Sequence, residues 1–390
     1  MYDFCINGGG MVGSSLALGL VQQGYKVVIL ESAMPEPFDT HQPPDLRLSA
    51  ISLASCQLLE KLGAWSYIQQ YRVKAYDQLS VWENPTMAAS FDAASIQQSH
   101  LGYFVENRLI QLGCYAALEN QDVTWIKENR LVGYTCNDNG VTLTLEKGNT
   151  VTSRYLIGAD GARSRVRALA GIGTSGWQYQ QQAMGIIIKS ATPSKGETWQ
   201  QFFPSGPRAY LPMYDNYGSL IWYDSPQRIN QLCGLPPEQL KAQVLAHFPQ
   251  RLDDFEVLDK AAFPLTRSHA TRYIQPGVIL IGDAAHTINP LAGQGVNLGF
   301  KDVSALLAIT ATSKPDEPSF YQHLSQDYAR PRRQDNLRMM SAMDGFYALF
   351  SNQIPPLKMI RNLLLKGADI SGPLKVGLLK HAIGMDEWKF

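Results

Sequence analysis

"YDFCINGGGMVGSSLALGLVQQGYKVVILE", residues 2–31, sets two apolar runs around a glycine cluster. The first run predicts a short buried strand. Gly8-Gly9-Gly10-Met11-Val12-Gly13 is a G-x-G-x-x-G opening a helix, with Leu16, Leu20 and Val21 among its apolar positions and Gly24 at its end. "YKVVILE" predicts a second buried strand ending on an acid, Glu31. Strand, glycine turn, helix and strand make a βαβ unit. Gly8 permits the tight turn, Gly10 lets the backbone approach a pyrophosphate, and Gly13 lets helix and strand pack closely. The helix N-terminus favours the negative charge. Glu31 stands where a carboxylate accepts from a ribose hydroxyl, which favours FAD or NAD over NADP. The competing interpretation is a helix-opening turn in an unrelated α/β fold.

The chain has 390 residues, enough for two domains. Apolar residues make up 45% and charged residues 17%, a globular composition. Zero net charge argues against a dedicated nucleic-acid binder. Five scattered cysteines with no CxxC pair read as free thiols in a reducing compartment, and no metal site is expected. The N-terminus lacks the pattern of a secretory signal. No apolar window reaches the roughly 18 residues of a membrane span. A cytoplasmic location is expected.

Residues 49–70 and 103–119 look helical, and 123–157 look like a β-meander. Residues 177–275 are rich in Trp, Tyr and Phe and predict strands, with "PPEQLKAQVLAHF" as a helix among them. "GVILIGDAAH" returns to a buried α/β strand, and residues 296–345 are helical. The tail from residue 353 mixes Leu, Ile and Met with Lys358, Arg361, Lys366, Lys375 and Lys380. It is either a solvated helix packed on the core or a membrane or partner contact.

Two further strand ends carry chemistry. Asp160 and Gly161 follow "RYLI", and Gly282 and Asp283 follow "VILI". Each alone could be a capped turn. Together, and in this order, the three motifs resemble the single-component flavin-dependent aromatic hydroxylases, the group that includes p-hydroxybenzoate hydroxylase. The resemblance covers residue 1 to about residue 345. It implies a mixed α/β fold: a Rossmann-like FAD-binding domain with an inserted β-sheet substrate domain and a helical C-terminal tail. The expected bounds are 1–70, 102–175 and 276–345 for the first, 71–101 and 176–275 for the second, and 346–390 for the third.

By the same resemblance, Gly8, Gly10, Gly13 and Glu31 hold the ADP half of FAD. Asp160 and Gly161 serve FAD and NAD(P)H together. Gly282 and Asp283 hold the ribityl chain. The loop Pro290 to Asn297, with Gln294 and Gly295, lies along the flavin ring. Arg47 matches an arginine near the cofactor, and Asn107, or else Arg108, matches a polar flavin contact. No residue is expected to act as acid, base or nucleophile, and His286 is expected to be structural.

"PDLRLSAIS", "WYDSP" and "GDAAHTINPLAGQGVNLG" resemble the ubiquinone-biosynthesis branch. That implies hydroxylation of a polyprenylated benzoquinol by NAD(P)H and O2 through a flavin C4a-hydroperoxide. It also implies a peripheral contact with the inner membrane face or with other ubiquinone-biosynthesis enzymes. Aromatic residues of the middle region (Trp199, Phe202, Phe203, Tyr210, Trp222, Tyr223) would either shield that site from water or form ordinary sheet core. A flavin-dependent reductase or dehydrogenase of similar fold, acting on an isoprenoid or other aromatic compound, is the alternative. A non-catalytic flavoprotein that scaffolds a biosynthetic complex is a third possibility.

Overall fold

A computed structural model describes residues 1–288, 295–352, 355–370, 375–377 and 379. The opening strand Tyr2–Asn7 is central in a sheet ordered Ile274–Gln275, Val278–Leu280, Thr150–Gly158, Tyr2–Asn7, Val27–Glu31 and Val123–Lys127. The four contacts between the last five of these strands are parallel. Phe4, Cys5, Ile6 and Val27 to Leu30 are almost wholly buried, as expected of strands covered on both faces. The helix Met11–Gln22 covers one face, and Gly19 and Gly299 let it meet the helix Gly295–Thr310 closely.

Two predicted helices begin instead as strands. Leu48–Ser52 and Gly102–Glu106 pair antiparallel, and only then do the helices Leu53–Lys61 and Asn107–Leu118 start. Val73–Tyr76 pairs with Gly102–Glu106 as a third strand of that small sheet. Only Leu131–Leu145 and Thr150–Gly158 form a meander, because Val123–Lys127 pairs in parallel with Val27–Glu31.

The aromatic middle region supplies five strands of an eight-stranded sheet, the longest being Thr174–Ser190 and Phe255–Ala270, and Gln78–Trp82, Ala89–Asp92 and His286–Thr287 complete it. Strand periodicity divides its two faces. Met184, Ile186, Ile188, Leu220 and Trp222 face one way, where Ile229, Leu232, Leu240 and Val244 of two short helices cover them. Ala183, Gly185, Ile221, Tyr223 and Phe263 face the other way, matched across the ladders.

That division decides between shield and sheet core for the six aromatic residues. Trp199 and Trp222 lie in the core under the short helices, with Tyr210 stacked on Trp199. Phe202 stacks on Phe350, and Phe203 lies under Arg208. Tyr223 alone of the six is clustered with the residues of the opposite face.

The tail helix Pro355–Ile370 is tied to the sheet side by charge. Arg361 is buried and forks onto Glu83, which also accepts from Asn362 at 2.8 Å. Arg361 also donates to the Leu349 carbonyl at 2.8 Å. It is therefore removed from the basic surface expected of the tail. Among the described residues no helix is long and apolar enough to cross a membrane.

Candidate functional site

The strand ends of the parallel sheet converge on a cavity of about 1000 Å³. Gly8, Gly10, Glu31, Arg47, Asn107, Asp160 and Gly161 all line it. These seven residues come from five separate stretches of sequence, so folding assembles what the motifs only suggested.

The glycine turn explains itself sterically. Gly8 has φ +109°, and a Cβ there would stand 2.4 Å from the Ala159 carbonyl oxygen. A Cβ on Gly13 would stand 1.9 Å from the Gly8 carbonyl oxygen. A Cβ on Gly10 would meet nothing within 4 Å and would project into open space. The first two glycines are needed by the chain itself, and the third leaves room for a guest.

Neighbouring side chains hold this turn at both backbone groups. Gly9 N–H donates to Glu31 Oε2 at 2.6 Å. The Gly9 carbonyl accepts from Tyr115 Oη at 2.8 Å and Gln111 Nε2 at 3.0 Å. Glu31 Oε1 accepts from Ala33 N–H at 2.8 Å. A carboxylate has about four acceptor positions, so Glu31 retains capacity for ribose hydroxyls. Gln111 and Tyr115 were not anticipated. Their spacing of one helical turn is the only sequence signal they give.

Asp160 organises its own loop. Its carboxylate accepts from Asn7 Nδ2 at 2.9 Å, Ser164 Oγ at 2.5 Å, and the N–H groups of Arg165 and Val166 at 2.6 and 3.1 Å. The side chain therefore locks the loop onto the first strand. Gly161, with φ +77°, turns the backbone at the cavity wall. Asn107 accepts from Ser49 Oγ at 2.7 Å. Arg108 also lines the cavity but forks onto Asp45 at 2.9 and 3.2 Å.

Gly282, at φ +55°, starts a tight turn that presents Asp283 with its side chain exposed. His286 and Arg47 lie close enough to favour the charged Asp283 carboxylate. Thus Arg47, on the cavity wall, is electrostatically linked to Asp283.

Below this turn lies a buried network around Asp302. Its Oδ2 accepts from Gly282 N–H at 2.9 Å and His286 Nε2–H at 2.6 Å. Its Oδ1 accepts from Arg332 Nε at 2.9 Å. Burial alone would raise the Asp302 carboxyl, but His286 and Arg332 overcome it and hold the group below its usual range. Arg332 reaches Asn336 at 3.0 Å, Asn336 donates to Tyr273 Oη at 2.9 Å, and Tyr273 meets His269 Nε2 at 2.9 Å. Burial, with the nearby Arg333, pulls His269 down to about 4. His286 is fastened beneath the turn, the structural place expected for it.

Asn297 packs against the small sheet. It is buried, and its Oδ1 accepts from Ser52 N–H at 3.0 Å and Ser55 Oγ at 2.8 Å while Nδ2 donates to the Ala50 carbonyl at 2.8 Å. Its side chain staples the helix Gly295–Thr310 to the small sheet. Gly295 opens that helix. Pro290 and Gln294 lie outside the described residues.

The family described as FAD binding domain matches residues 1–314. The chain is 47% identical over 386 residues to the 3-demethoxyubiquinol 3-hydroxylase of Escherichia coli (strain K12), covering 98% of both chains. It is 32% identical over 435 residues to the mitochondrial ubiquinone biosynthesis monooxygenase COQ6 of Rattus norvegicus, covering 98% of this chain and 91% of that one. In fold it resembles p-nitrophenol 4-monooxygenase PnpA from Pseudomonas putida DLL-E4, with a TM-score of 0.80, 17% identity, and 99% and 98% of the two chains covered.

Proposed function

Because the chain belongs to the FAD binding domain family, we propose that it is an FAD-dependent monooxygenase that hydroxylates the ring of a polyprenylated benzoquinol in ubiquinone biosynthesis, with NAD(P)H and O2 as co-substrates. The observation that carries this is the near full-length identity to a 3-demethoxyubiquinol hydroxylase. The cavity's donor set fits the cofactor. Glu31 accepts from ribose hydroxyls, and the open backbone at Gly10 and Gly161 meets the pyrophosphate. Arg47 and Asn107 lie toward the flavin, and Asp283, which is not among the cavity's lining residues, would bind the ribityl chain from the turn beside Arg47.

Bound FAD supplies electron transfer from NAD(P)H and the activation of O2. The chain supplies binding, orientation and exclusion of water. A quinol ring is already activated by its own hydroxyls, so no protein nucleophile is needed. A Cβ on Gly185 would stand 3.8 Å from the Leu46 carbonyl oxygen, and Leu46 lines the cavity, so this sheet face looks toward the cofactor. Ala183, Ile221, Tyr223, Phe263 and Leu265 give it an apolar surface for a planar ring. The substrate that the similarity to a 3-demethoxyubiquinol 3-hydroxylase supports is a polyprenylated methoxy-benzoquinol whose ring lacks the last hydroxyl.

Substrate-stimulated NAD(P)H oxidation with O2 uptake and an oxygenated product tests this function. Product formed without O2 consumption would instead assign a flavin-dependent reductase.

A prenylated substrate partitions into lipid, and the chain meets it through a peripheral surface on the tail helix. Met359 and Leu363, one turn apart and more than half exposed, stand with the exposed Lys358 and Lys366. Deleting the tail would strand Glu83 without Arg361, so point changes are the cleaner test. Met359→Glu with Leu363→Glu should keep FAD and lose most co-sedimentation with anionic vesicles. Unchanged co-sedimentation would refute the surface.

A further inference from the structure

We propose that Arg72 is a positioning residue: it holds the segment that carries Arg47 against the cofactor cavity and ties that segment to the substrate-side sheet. The inference rests on the FAD assignment only for the identity of the ligand.

Residues 32–47 contain no helix or strand, yet Ser32, Pro35, Asp45, Leu46 and Arg47 line the cavity. A segment without its own ladder is held by what grips its backbone. Arg72 Nη2 donates to the carbonyls of Gln42, Thr40 and Asp39 at 2.6, 2.8 and 3.4 Å. Arg108 Nη1 donates to the carbonyls of Glu36 and Pro37, both at 3.0 Å. Glu106 Oε1 accepts from Asp45 N–H at 2.6 Å, and Asn107 N–H donates to the Arg47 carbonyl at 2.9 Å. Two arginines, a glutamate and one backbone amide thus span nearly its whole length.

Arg108, Asn107 and the segment itself belong to the cavity, but Arg72 is not among the lining residues. Its guanidinium lies over Phe38 of the segment at 5.1 Å and over Tyr214 at 4.7 Å. Tyr214 sits in the turn joining Arg208–Pro212 to Tyr217–Asp224 of the large sheet. One planar cation therefore joins three carbonyls of the segment to the substrate side. Glu106 faces Arg72 as a buried ion pair that lacks a hydrogen bond. It stands 3.9 Å from Arg72 Nη1, and both that nitrogen and Glu106 Oε2 are buried without a hydrogen bond among the described residues. Carbonyls and rings fix Arg72, which suits a guanidinium and not an ammonium.

The test uses the full chain loaded with FAD. In Arg72→Gln, FAD release followed by flavin fluorescence should be roughly tenfold faster. Arg72→Lys should fall between, because its ammonium keeps donors but loses the flat face. Tyr214→Leu, remote from the cavity wall, should also speed release, and combining it with Arg72→Gln should add little. Amide exchange at residues 36–47 of the FAD-free chain should quicken in each variant, a result independent of the cofactor's identity. Release within twofold of the parent in Arg72→Gln would overturn the proposal. If Arg72→Gln fails to fold, Tyr214→Leu decides: a lower melting temperature with unchanged release and unchanged exchange would overturn it.

Discussion

Gly13→Ala should purify colourless, while Gly10→Ala should purify folded but poor in flavin. The two glycines lie three residues apart in one turn, and their surroundings set opposite outcomes. An added methyl at Gly13 lands 1.9 Å from the Gly8 carbonyl oxygen, a backbone atom that cannot swing aside. The turn and the first helix must separate, at a cost of about 1–3 kcal/mol or more in stability. Gly8 then leaves Ala159 and Asp160, and the two loops that hold the dinucleotide part. A methyl at Gly10 meets no protein atom within 4 Å. Stability should therefore hold within about 0.5 kcal/mol. The methyl instead occupies space left for the pyrophosphate, and FAD affinity should fall at least about tenfold, or ~1.4 kcal/mol. Thermal melting of the apo chains and fluorescence titration with FAD measure both terms. Equal FAD affinity in Gly10→Ala and the parent would remove the pyrophosphate from this turn.

The largest loss of stability should come from Asp302→Asn. The substitution keeps shape and removes only charge and one acceptor. Asp302 accepts on both oxygens, from Gly282 and His286 on one side and Arg332 on the other. An amide turned either way sets its NH2 against donors. It also leaves the buried Arg332 without full compensation, a loss of about 3–5 kcal/mol. Gly282 loses its acceptor at the same time, so Asp283 is no longer held in place and FAD should be lost faster. The pH dependence has a defined sign. The folded carboxyl lies below its ordinary value, so its contribution is complete above the unfolded pKa and fades as pH falls through the folded one. Denaturant melts of parent and variant should therefore converge in strong acid. A constant difference down to the lowest pH would place the loss elsewhere.

Local steric demands were legible in the sequence. The glycine turn, Glu31 and Asp160 depend on neighbours a few residues away or on one parallel strand end, and a short string records them. Paired strands were not. Leu48–Ser52 and Gly102–Glu106 each run straight into a helix, and each is a strand because the other is there to bond it. Face was equally hidden. Alternation separates Trp222 from Tyr223, but only the placement of two short helices decides which of them is core. The side-chain partners of Asn297, namely Ala50, Ser52 and Ser55, are far away in the chain and left no mark near it. Asp302 with Arg332, and Arg72 with its three carbonyls, were invisible for the same reason. Nothing local marks a charge whose partner arrives only on folding.

The most direct test of the account is a single-turnover reaction of the FAD-loaded chain with NAD(P)H, a short-chain demethoxy-type benzoquinol and isotopically labelled O2, read by mass spectrometry. The account predicts one labelled oxygen atom on the product ring, with NAD(P)H consumed in equal amount. An unlabelled product, or NAD(P)H oxidation indifferent to the quinol, would contradict it.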